Sequence, residues 1–148
     1  MRTKLTGWIF SEKKGQSLVE FALVVPMLLL LVFGIAEFGR AWMTKNILTG
    51  AAREASRMAA VRAPYGGETI AISRANQILT SASIPIGGAT GAIINVDIPD
   101  AEYSTVTTTI RYELQAVTPI VKIITSGWVS GGNGTIPLTS STSMRREY

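Results

Sequence analysis

The residues with chemical potential in this chain gather in one short stretch. Lys13 to Phe21 read Lys-Lys-Gly-Gln-Ser-Leu-Val-Glu-Phe, and an uncharged apolar run follows at once. Gly15 has no side chain, so its backbone can lie extended in a narrow cleft. Glu20 sets a lone carboxylate at the mouth of the hydrophobic segment, where burial is costly and something should require it. On the residues alone, Glu20 either sits in a headgroup layer without a role or meets a cationic partner. A cation and an anion attract far more strongly in a low dielectric than in water. Desolvation takes much of that back, yet losing one partner leaves an unpaired buried charge.

No motif in the chain reads as catalytic, and no metal or cofactor is implied. The sequence has no cysteine and no histidine. Disulfides, thiolate and imidazole metal sites, and Ser-His-Asp or Cys-His nucleophiles are thereby excluded. Gly131-Gly132-Asn133-Gly134 lacks the Gly-Lys-Ser/Thr ending of a phosphate loop. Asp97, Asp100 and Glu102 offer few ligands to a hard cation and read as a solvated turn. Asn133-Gly134-Thr135 fits a glycosylation acceptor pattern and reads as a chance match. The net charge is +4, but four basic residues against one acid lie before Gln16, and the rest is nearly balanced. That asymmetry is a topology signal. With no basic stripe interleaved with aromatics, no nucleic-acid partner is expected.

The element that must carry Glu20 is a long helix. Phe21 to Ala36 holds no charge, and counting Leu18 to Phe38 reaches the roughly 17–25 residues of a spanning helix by admitting Glu20 and Glu37. The run exceeds the ~7–15-residue core of a cleaved secretory signal, which favours a retained membrane helix. Arg2, Lys4, Lys13 and Lys14 precede it against Glu12, so the amino terminus is expected inside and the carboxyl terminus outside. Pro26 removes one helical hydrogen bond, which neighbouring membrane helices can compensate. The resulting bend either helps the segment pass from lipid into an assembly or is neutral.

From Glu37 to Arg62 the pattern turns amphipathic and alanine-rich, favouring helix. Ile35, Phe38, Trp42 and Ile47 suggest one apolar face, with Trp42 as an interfacial anchor. Ala51, Ala55 and Ala59 fall four apart, as do Ala52, Ser56 and Ala60. Such stripes let two backbones approach closely, so packing against a partner is expected there, although alanine also serves simply as helix composition. Glu54 and Arg57 read as a solvated pair at i,i+3. A helix from Gln16 to Arg62 would be on the order of 70 Å long at 1.5 Å per residue. Ala63-Pro64-Tyr65-Gly66-Gly67 should end it.

The stretch Gly15-Gln-Ser-Leu-Val-Glu-Phe-Ala-Leu-Val-Val-Pro26, with Glu37-Phe38-Gly39-Arg40 and Ala51-Ala52-Arg53-Glu54-Ala55-Ser56-Arg57, resembles the TadE-like family. Its members are minor pilins or pseudopilins of the tight-adherence (Flp, type IVb) pilus system. The resemblance is strong over 15–62 and loose beyond, though Met144-Arg145-Arg146-Glu147 is similar to the family's tail. It implies that a membrane prepilin peptidase cuts between Gly15 and Gln16, leaving residues 1–15 as a cytoplasmic leader. Glu20 becomes the fifth residue of the mature chain and Phe21 the sixth, completing the family's Glu-aromatic pair. The resemblance further implies that Glu20 meets the terminal amine of a neighbouring subunit. Implied partners are the peptidase, other pilin-like subunits or copies of this chain, the pilus assembly machinery and the membrane. The implied location is the inner membrane, then the cell-surface pilus.

Residues 63–148 should form an extracytoplasmic α+β head. Glu68 to about Ser81 reads as a helix from Ala71, Ala75, Ile78 and Leu79. Ile94-Val96-Ile98 and Val106-Thr108-Ile110-Tyr112-Leu114 alternate with polar residues as strands, and Pro99-Asp100 suggests a hairpin turn. Leu138, Ser140, Thr142 and Met144 suggest a third strand. Val117 to Trp128 reads as either a short helix or an exposed strand. The expected fold is α+β and broadly pilin-like, a long amino-terminal helix packed on a small antiparallel sheet. Three functions fit: a minor pilin or pseudopilin, the principal subunit of a homopolymeric filament, or a non-polymerising bitopic membrane component.

Overall fold

The computed structural model describes residues 12–62, 66–88, 90–99, 104–119, 122 and 134–146. Helix α1 spans Glu12–Arg62 and α2 spans Gly67–Ser81, followed by strands β1 (Ile93–Asp97), β2 (Thr105–Gln115) and β3 (Thr135–Arg145). The chain divides into two compact units, Met1–Ala36 and Glu37–Tyr148. This is the α+β arrangement expected. Residues 1–11 of the expected leader, the expected break at Ala63 to Tyr65, the expected turn and acids at Asp100 to Tyr103, most of the apolar stretch to Trp128, Asn133 and Glu147 lie outside the described residues.

The first unit contributes the apolar part of α1. α1 is a single helix with Pro26 inside it. Its apolar window has a mean hydropathy of 2.7, and none of it is buried. Leu23 is 70 % exposed and Met27 78 %.

The second unit is built on an antiparallel sheet in the order β1-β2-β3. β2 is central because it has the longest period-two pattern. It pairs with β1 from Ile93↔Arg111 to Asp97↔Thr107, and with β3 from Thr105↔Arg145 to Gln115↔Thr135. Alternation sends Val106, Thr108, Ile110 and Leu114 inward, joined by Val96 of β1 and Ser140 of β3. Gly66 precedes α2 with φ 79°, a left-handed conformation that glycine adopts without a Cβ penalty. A Cβ on Gly67 would stand 2.9 Å from the Ala59 carbonyl oxygen, so this glycine allows the chain to pass close to the end of α1. The paired glycines therefore make a tight corner between the two helices.

The buried face of α1 in this unit differs from the apolar face the sequence suggests. Phe38 and Trp42 are exposed, stacked on each other with ring centroids 6.1 Å apart. The face turned inward carries Thr44, Leu48, Ala51, Ala52, Ala55, Ser56 and Ala59. Ala51, Ala55 and Ala59 are wholly inaccessible, sharing one core with Ala71, Ala75 and Leu79 of α2 and with Val96, Val106 and Ile110 of the sheet. The expectation that this stripe packs on another subunit is corrected accordingly. Its small side chains are used up within the chain's own head, where a larger side chain would push the elements apart.

The inward face of β3 is polar because α1 answers it with hydroxyls. Thr49 Oγ1 lies 3.0 Å from Ser140 Oγ, and Ser56 Oγ donates to the Thr142 carbonyl at 2.8 Å. Lys45 Nζ adds a hydrogen bond to the Thr139 carbonyl. On β2, by contrast, the buried Thr108 hydroxyl has no partner among the described residues. Two substitutions should move stability in opposite directions in thermal unfolding of the detergent-solubilised chain. Ala55→Leu overfills the core and should cost about 1–3 kcal/mol. Thr108→Val keeps the shape, removes the unpartnered hydroxyl and should be neutral or stabilise by about 1 kcal/mol.

Candidate functional site

Gly15, Gln16, Glu20 and Phe21 all lie on α1 in the first unit. Gly15 is helical, and a Cβ placed there would meet nothing within 4 Å. Gln16 and Glu20 are one helical turn apart on one face, and Gln16 Nε2 donates to Glu20 Oε1 at 3.2 Å. Glu20 and Phe21 are both exposed, as is the apolar run that follows them. The helix thus presents a carboxylate whose second oxygen accepts no hydrogen bond among the described residues. Pro26 lies on the same helix without interrupting it.

The second unit holds a polar cluster that the sequence reading did not assign a role. Glu37, the first residue after the charge-free run, is only 5 % exposed. Its Oε1 accepts the backbone N–H of Val117 at 2.6 Å, the N–H of Thr118 at 2.9 Å and the Thr118 hydroxyl at 3.2 Å. Its Oε2 accepts Arg40 Nη2 at 2.7 Å and Nε at 3.0 Å. Arg40 also donates from Nη2 to the Gln115 carbonyl. One carboxylate thereby fixes α1 to the chain leaving β2, where the Lys122 N–H also donates to the Thr118 carbonyl at 3.0 Å. The local signal was an acid followed three residues later by arginine just past an apolar run. Its partners lie about eighty positions away, so sequence spacing could not name them.

Further along α1, Glu54 accepts from Arg57 at 3.0 and 3.1 Å, as its i,i+3 spacing suggests. The hydrogen bond from Arg57 holds the Glu54 carboxyl below its ordinary range. Arg74 of α2 also approaches Glu54, at 3.5 Å, so the pair braces two helices rather than standing alone. Among the described residues no group of three or more acids could hold a metal ion.

Residues 15–57 match the family model described as TadE-like protein. Over these residues the chain is similar to that family. The match begins at Gly15, takes in Glu20, the apolar run, the Glu37–Arg40 pair and Ala51 to Arg57, and stops short of the head's sheet. No curated protein and no solved structure matches the chain. That family is pilus-associated, and the apolar helix suits a membrane anchor.

The Glu37 cluster should behave as a fastening point of the head. Glu37→Ala leaves two backbone N–H groups and Arg40 without their acceptor, and should cost about 2–3 kcal/mol, the scale of hydrogen bonds to a buried charged group. Arg40→Ala should cost nearer ~1 kcal/mol, since Arg40 is partly solvated and the backbone donors keep their carboxylate. Chemical denaturation of each variant in detergent measures both, and equal losses would show that the backbone contacts contribute little.

Proposed function

We propose that this chain is a pilin-like subunit of a tight-adherence pilus, cut after Gly15 by a prepilin peptidase and assembled through its amino-terminal helix. The observation that carries the proposal is the TadE-like match beginning at Gly15 and running through a helix whose apolar side chains have no cover within the chain. Lipid covers that surface before assembly and neighbouring helices cover it afterwards. The amino terminus lies in the cytoplasm and the head outside, with the membrane surface before Glu37 and the exposed Phe38 and Trp42 suited to the interfacial layer.

Cleavage requires the helix to open locally around the Gly15–Gln16 bond. Glycine is about 1 kcal/mol poorer than alanine in a helix, and no side-chain contact holds Gly15 in place. Opening therefore costs less at Gly15 than at the leucines and valines that follow. After the cut, Glu20 stands one helical turn from the new terminus with an oxygen to spare. A neighbour's terminal ammonium is the donor that this proposal assigns to it. A carboxylate in that position selects one axial stagger between adjacent helices, because other staggers leave it unpaired near lipid.

Sequencing the amino terminus of mature protein from sheared surface material should return Gln16 as the first residue. Its abundance relative to other subunits separates a minor from a principal component. Glu20→Ala should be processed normally yet disappear from sheared fibres. Recovery of the functional chain with its leader intact would overturn the proposal in favour of a non-polymerising membrane component.

A further inference from the structure

We infer that Gln16 is a self-modifying terminus whose cyclisation Glu20 holds back. The inference rests on the cut after Gly15 proposed above. That cut would make glutamine the first residue and free its α-amine. The freed amine can attack the Cδ of the same residue's side-chain amide. A C–N bond closes a five-membered lactam, the C–Nε2 bond breaks, and the side-chain nitrogen leaves as ammonia with the proton released by the amine. No oxidant, cofactor or second substrate is needed. The product has no terminal positive charge and cannot pair with a carboxylate.

The structure shows what opposes this reaction. Intramolecular attack is fast only when the reacting atoms are held about 3–3.5 Å apart with the right alignment. Gln16 Nε2 is bonded instead to Glu20 Oε1 at 3.2 Å, one turn further along the helix. That bond engages the glutamine amide with Glu20. The carboxylate acts in a second way once subunits pair, because it favours the protonated form of the neighbour's terminal amine, whose nitrogen then has no lone pair to attack with. Glu20 is thus a positioning residue for the Gln16 side chain as well as the partner proposed for an amine. Its two effects preserve the charge on which subunit pairing depends.

The test follows the mature chain, expressed with a prepilin peptidase and kept in membranes, by mass spectrometry of its amino-terminal peptide over time. Wild type should retain an uncyclised Gln16. Glu20→Ala should lose one ammonia at Gln16 about 1.4- to 2.3-fold faster, the range expected from removing one exposed i,i+4 hydrogen bond. Glu20→Gln restores a hydrogen-bond acceptor without charge and should fall between the two. Gln16→Met combined with Glu20→Ala should show no ammonia loss, placing the reaction on that side chain. Independently of variant processing, the mature wild-type chain in denaturant should cyclise faster than in membranes at the same pH and temperature. Equal rates in wild type and Glu20→Ala, or in membranes and denaturant, would overturn the inference while leaving cleavage after Gly15 intact. A peptide beginning anywhere but Gln16 would overturn both.

Discussion

The apolar stretch of α1 is the constraint around which this protein is organised. Its side chains are exposed in the isolated chain, with none of the apolar window buried. Fully burying one Leu, Val or Phe side chain is worth about 1.5–3 kcal/mol, so leaving a whole helix face of them in water is not a stable option. Either lipid or another protein must cover them. The rest of the molecule is arranged to be compatible with both. The head completes its own core from residues after Ala36, with Leu48, Leu79 and Ile110 all fully buried. It therefore does not need the apolar stretch for its stability, and that stretch remains available to a bilayer or to neighbouring helices.

The head achieves closure with small and polar groups where a larger domain would use bulk. Alanines on α1 and α2 fill the space between the elements, and Thr49, Ser56 and Ser140 supply hydrogen bonds across the helix–sheet junction. A net hydrogen bond contributes about 0.5–1.5 kcal/mol, less than burial of a large apolar side chain, but it fixes register where apolar contact alone would not. This explains why β3 looks weak as a strand by composition and still pairs along its full length with β2. Its serines and threonines are matched to α1, a relation between segments about ninety residues apart.

The same distinction separates what was legible in the sequence from what was not. The period-two pattern from Val106 to Leu114 specified β2 and its inward face, because strand alternation is a local property. The break at Gly66-Gly67 and the periodicity from Ala71 to Leu79 specified α2 equally well. The buried face of α1 is not the face its apolar periodicity marks, because Phe38 and Trp42 outweigh alanine on any scale of hydrophobicity. Packing instead favoured the side chains small enough to let the sheet and α2 approach. Glu37 was passed over for a different reason. A buried acid is explained only by its donors, and Val117 and Thr118 reach it through tertiary folding.

Glu20 and Glu37 bracket the charge-free run, and their surroundings assign them different work. A carboxylate offers two oxygens and about four acceptor positions. Glu37 fills its positions with five donor contacts from its own chain, so it has little left for a partner and serves to close the head. Glu20 receives one hydrogen bond among the described residues, from the glutamine a turn earlier, and keeps its other oxygen open. At the centre of a bilayer an acid would cost several times what a single leucine returns there, which is why Glu20 lies at the end of the run and not within it. At that end the cost is reduced but not removed, and a donor from outside the chain lowers it further. On the function proposed above, an acid with spare acceptor capacity on such a helix would favour whichever neighbour brings a cation to the right height. Glu37 cannot make that selection, because its own head has already satisfied it.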